Sequence, residues 1–128
     1  MDVVVGTSMV VMGLAIAGIW TRDILGGEVV DTSSGLFAAR DPDAGTLMWP
    51  HWVAEYTTAA ILVVGGFGLM AEWSAAETIA GLGLGALFYT SINSLGWALA
   101  SPDRRPYAAA MLVGVGVAVL GGLTLLVG

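Results

Sequence analysis

Residues 107–127 read YAAAMLVGVGVAVLGGLTLLV, 21 positions without a charge, in which only Tyr107 and Thr124 carry a hydroxyl. Wound as an α-helix at about 1.5 Å per residue, such a run is about 30 Å long, the thickness of a bilayer's hydrocarbon core. Lipid offers the backbone no hydrogen-bond partner, so a segment immersed in it must satisfy its own N–H and C=O groups as a helix. Three more runs of the same kind precede it: Val3–Trp20, Pro50–Met70 and Ala76–Ala100. The sequence therefore predicts an all-α polytopic membrane protein, a four-helix transmembrane bundle in which residues 1–128 form a single domain.

Composition excludes most alternatives. The hydrophobic fraction is 57% and the charged fraction 11%, which leaves too little polar surface for four helices to face water. There is no Cys, which removes disulfides, thiolate metal sites and thiol nucleophiles, and a single His, His51, argues against a His-built metal or bis-His haem site. No metal site and no catalytic residue is expected, and no cofactor beyond a bound lipid, isoprenoid or quinone. A net charge of −6 repels nucleic acid. Ala15-Ile16-Ala17 resembles a signal-peptide cleavage site, but the acidic Met1-Asp2 start lacks the positive region such peptides need, so the first run reads as a membrane helix.

The connections differ. Thr21–Trp49 is long and polar, with Ser33 or Ser34 placed to cap a short helix over 35–40, and it reads as a functional lid, an interaction surface or a solvated spacer. Ala71–Ala75 and Ser101–Pro106 are tight, so the last three helices alternate in direction and the first can close the bundle. All four basic residues, Arg22, Arg40, Arg104 and Arg105, fall on the side of the long loop. The positive-inside rule makes that side cytoplasmic and puts both termini outside, in a multi-pass protein of the cell membrane. Trp20, Trp49, Trp52, Trp97 and Tyr107 gather near the same side and Trp73 near the other, as interfacial belts do.

Polar residues inside a bilayer helix are costly, so their placement points to function. Pro50 suits the first turn of the second helix. His51, Glu55 and Thr58 then share one face at steps of four and three. The third helix runs the other way and carries Tyr89, Thr90, Ser91, Asn93 and Ser94 late, at similar depth. The expected site is a half-membrane pocket centred on Glu55, with His51, Thr58, Tyr89, Asn93 and Trp97 binding a ligand or proton and Arg22 and Asp23 as an ion-pair gate; the alternative is that Glu55 simply pairs with His51 or Arg22 while Asn93 and the hydroxyls hold the helices together. Small residues suggest helix packing: Gly81 and Gly85 on the third helix, and Ala110, Gly114, Ala118 and Gly122 on the fourth, the latter against a neighbouring subunit or within the same bundle.

The size, the long first loop, and Glu55 followed by Gly65-Gly66-Phe67-Gly68-Leu69 resemble the DoxX-like group of small four-helix membrane proteins. That resemblance implies a four-helix membrane fold and activities that include subunits linked to quinone-dependent sulfur oxidation. A fainter similarity, through His51, Glu55, Asn93 and Trp97, is to emopamil-binding-type sterol isomerases. Three functions follow: a non-enzymatic protein, oligomeric or part of a larger membrane complex, that binds a lipid-like ligand; a proton- or ion-coupled carrier or channel using Glu55; or an intramembrane isomerase or quinone-linked enzyme. The partners expected are membrane lipid and a second copy or larger complex, with no nucleic acid.

Overall fold

A computed structural model describes residues 2–25, 44–99, 102 and 105–127, with the backbone alone described at 23, 44–49 and 97. Four helices account for nearly all of it: α1 (Asp2–Leu25), α2 (Ala44–Met70), α3 (Ala76–Leu99) and α4 (Arg105–Val127). Each contains a stretch of at least 21 residues apolar enough to cross a membrane. The chain is an all-α, multi-pass membrane protein, a four-helix transmembrane bundle. The expected short helix over 35–40 lies outside the described residues.

Two boundaries move. α1 continues past Trp20 to Leu25, and α2 begins at Ala44, six residues before Pro50. Pro50 is therefore inside α2 rather than in its first turn. It has no N–H to offer the Thr46 carbonyl one turn back, a loss tolerable near the end of a helix.

Consecutive helices pack side by side, while α1 and α4 touch only slightly. Within the four-helix bundle α1 lies along α2, and a seam remains between α1 and α4. In lipid, helices are not driven together by burial of apolar surface, so close backbone approach through small residues must supply the attraction. The contacts follow that rule. A methyl group on Gly6 would sit 2.6 Å from the Gly66 carbonyl oxygen, and one on Gly13 2.7 Å from that of Ala59. Gly65 lies equally tight against Ala80 of α3, where a methyl would come within 3.0 Å of the Ala80 Cα. α4 is held by a single narrow stripe of small residues, Ala108, Gly114, Ala118 and Gly121.

The α2–α3 turn is built by backbone hydrogen bonds. The Glu72 N–H donates to the Leu69 carbonyl and the Trp73 N–H to that of Gly68, a Schellman closure with Glu72 as its left-handed residue at φ 55°. Glycine is the usual occupant, since an L side chain is strained there. Glu72→Gly should accordingly stabilise the bundle by about 1 kcal/mol, read as a raised unfolding midpoint in detergent. An unchanged or lowered midpoint would show that the Glu72 side chain compensates.

Candidate functional site

Glu55 projects from α2 into the bundle and is 5% exposed. Three other helical turns converge on it. Ser94 Oγ, from α3, donates to Glu55 Oε1 at 3.4 Å. The Trp20 indole, from the end of the α1 span, donates to the same carboxyl. His51, one turn earlier on α2, brings Nε2 to 3.6 Å from Oε1, and its ring meets Trp20 edge-on with centroids 5.0 Å apart. Beside them the Tyr56 and Thr21 hydroxyls share a 2.7 Å hydrogen bond that fixes α1 to α2 at this depth.

Glu55 forms one wall of a cavity of about 240 Å³ lying in the α1–α4 seam. α1 contributes Met12, Ile16, Ile19 and Trp20; α3 contributes Leu87, Thr90 and Ser91; α4 contributes Ala110, Met111 and Val113. Ala15, Ala110 and Val113 at the rim are exposed on the outer surface of their helices, so the cavity opens sideways, toward lipid. Chemically it is an apolar slot with one carboxyl at its end. A carboxyl has about four acceptor sites, and the Ser94 contact is long against the usual ~2.7–2.8 Å for O–H···O. A ligand's donor therefore has somewhere to bind.

Of the expected site residues, Glu55 and His51 are brought together as foreseen. Thr58 is buried one turn deeper but does not line the cavity. Tyr89 and Asn93 are not part of the site: Tyr89 is 71% exposed and Asn93 is exposed beside it. The reason is steric. The inward face of α3 is Ala80, Leu84, Leu87, Ser91, Ser94 and Ala98, mostly small side chains at steps of three and four that permit close approach. Asn93 sits about 100° around the helix from Ser94, and Ser94 takes the role assigned to it. Arg22 is exposed in the last turn of α1, and among the described residues the basic side chain beside Glu55 is the His51 imidazole. The side chains of Asp23 and Trp97 lie outside the described residues, and with Asp23 so does the expected Arg22–Asp23 gate.

The packing residues divide in the same way. Gly114 is pressed against the Ser91 side chain and Ala118 is buried, so the middle of the α4 stripe packs within the chain and not on a neighbour. Ala110 lines the cavity. Gly81, Gly85 and Gly122 face open space, with nothing in the chain close to where a methyl would go.

Two site residues were not foreseen. Ser94 was legible as part of the small-residue stripe of α3. Trp20, assigned above to an interfacial belt, is 3% exposed. Its signal was register: Gly6, Gly13 and Trp20 stand seven residues apart, which places all three on the face of α1 that meets α2. Among the described residues no group of three His, Cys, Asp or Glu side chains could hold a metal ion.

No curated protein and no solved structure matches the chain. A family model does, over residues 1–126: the chain belongs to the DUF8058 family, described as a domain of unknown function.

Proposed function

We propose that the protein is a non-enzymatic membrane protein that binds a lipid-like ligand in the Glu55 cavity. The observation that carries this reading is the placement of one buried carboxyl at the end of an apolar cavity that opens sideways between α1 and α4. Intramembrane acids are costly and tend to mark function. A lateral opening suits a ligand that arrives through the bilayer. A conducting role is less well supported, because the opposite half of the seam offers only the hydroxyls of Ser8 and Thr124. Both are spent on their own helices, donating to the Val4 carbonyl at 2.9 Å and the Leu120 carbonyl at 2.8 Å.

The test is to extract the protein in native lipid discs and compare the co-purifying lipids of the wild type with those of Glu55→Gln by mass spectrometry. One lipid class enriched at least tenfold with the wild type and lost with the variant is the expected result. Identical lipid profiles from two equally folded proteins would overturn the reading.

The protein also associates with a second copy in this proposal, through the outer surface where Gly81, Gly85, Phe88, Val119 and Gly122 border a groove of about 570 Å³ between α3 and α4. The chain has no cysteine, so introduced thiols report proximity cleanly. Gly85→Cys should give a disulfide-linked dimer in membranes, and Val11→Cys, on the exposed face of α1, should not. Equal cross-linking at both positions, or none at Gly85→Cys, would remove the dimer. Exposed Arg22 and Arg105 at one end of the bundle support a cytoplasmic position for that end, with both termini outside.

A further inference from the structure

We infer that the α1–α4 seam holds one long single-chain amphiphile in a fixed direction, its head at Glu55 and its tail toward Thr124, and that the head donates hydrogen bonds and carries no negative charge. This rests on the ligand-binding reading above and names the class of ligand.

A second cavity, of about 230 Å³, lies in the same seam nearer the termini. The two abut. On each helix that lines both, their residues are about one turn apart: Met12 and Met9 on α1, Leu87 and Leu84 on α3, Val113 and Val117 on α4. From Val4 to Trp20 the seam covers 17 residues of α1, a rise of about 24 Å between the first and the last. That is most of a hydrocarbon core of about 30 Å.

The direction follows from the polar groups. The far cavity has no ionisable side chain: its two hydroxyls donate to backbone carbonyls and are left as neutral acceptors, weaker than a carboxyl that can ionise. The near cavity has a carboxyl with acceptor capacity to spare. Neither cavity is lined by Lys or Arg, so a carboxylate or phosphate head would meet an acid with no cation to offset it. An alcohol or an amine donates to the carboxyl instead. The cavities of 240 and 230 Å³ together offer about 470 Å³, at the small end of the about 300–1,000 Å³ typical of small-molecule sites, which favours one chain over the two of a phospholipid.

The full-length protein in phosphatidylcholine nanodiscs would be tested for binding of radiolabelled hexadecanol, hexadecylamine, palmitate and octanol. The expected result is hexadecanol or hexadecylamine at least tenfold tighter than palmitate, and hexadecanol at least tenfold tighter than octanol. Ser8→Phe and, independently, Thr124→Phe narrow the far cavity and should each weaken hexadecanol at least tenfold, with helix content checked by circular dichroism. Octanol binding as tightly as hexadecanol would overturn the long seam while leaving the Glu55 pocket standing. Palmitate equal to the alcohol would overturn the head-group assignment. Failure of all four probes would overturn this inference, and an enriched native lipid lost in Glu55→Gln would still uphold the pocket.

Discussion

Gly66→Leu is expected to prevent α1 from docking on α2, so that the protein loses its cooperative unfolding transition and runs as an aggregate or expanded species in mild detergent. The side chain has nowhere to go. Even a methyl at Gly66 would meet the Gly6 carbonyl oxygen, Val10 Cγ2 at 2.9 Å and Met9 Cβ at 3.2 Å. The nearest of these is backbone, which cannot swing aside as a flexible side chain could. Over-packing of a well-packed core costs about 1–3 kcal/mol, occasionally more. Gly66→Ala should therefore fall at about 2–3 kcal/mol on that scale, and Gly66→Leu well beyond it. Gly85→Leu is the control, since nothing in the chain approaches that position. It should retain the fold while disturbing only the proposed dimer. Equal tolerance at the two glycines would mean that the α1–α2 contact is not as close as described.

Trp20→Ala is expected to destabilise the bundle by about 3–5 kcal/mol, the range for truncating a large buried aromatic. The indole is almost wholly buried, forms a wall of the Glu55 cavity and packs edge-on against His51. Its N–H also satisfies part of the Glu55 carboxyl. Trp20→Phe separates these roles, keeping an aromatic ring and deleting the donor. A single hydrogen bond is worth about 0.5–1.5 kcal/mol, and about 1.5–3 if the acceptor is charged. The Phe variant should thus lose about 1–3 kcal/mol and also weaken ligand binding. Combined with Glu55→Gln, it should show a coupling energy of about 0.5–3 kcal/mol by chemical denaturation. Strict additivity of the two substitutions would show that Trp20 merely fills space.

Residue chemistry announced the presence of a site more reliably than its membership. Glu55 and His51 share a helical face by their spacing alone, and the burial of an acid in a membrane span was foreseeable from its cost. Choosing between Asn93 and Ser94 was another matter. In water, a helix announces its inward face by hydrophobicity. In lipid both faces are apolar, and α3 exposes Leu82, Phe88 and Ile92 as freely as it buries Leu84 and Leu87. The remaining cue is side-chain size, and it favours the stripe that ends in Ser94 and Ala98 over the one carrying Tyr89 and Asn93.

Sequence alone determined that the chain crosses the membrane as four helices, because length, apolarity and the backbone's need for internal hydrogen bonds leave no other structure. It also determined that an acid and an imidazole occupy one helical face. Only the tertiary structure decided which glycines are contacts and which are bare surface: Gly66 meets a backbone and Gly85 meets nothing, though both are glycines within apolar helices. It alone decided that the ring of helices stays open between α1 and α4, and that Trp20 and Ser94 hold the carboxyl at that opening. These depend on how each helix is rotated about its axis. Rotation in lipid is set by the shape of the packed surfaces and not by any contrast between apolar and polar sides.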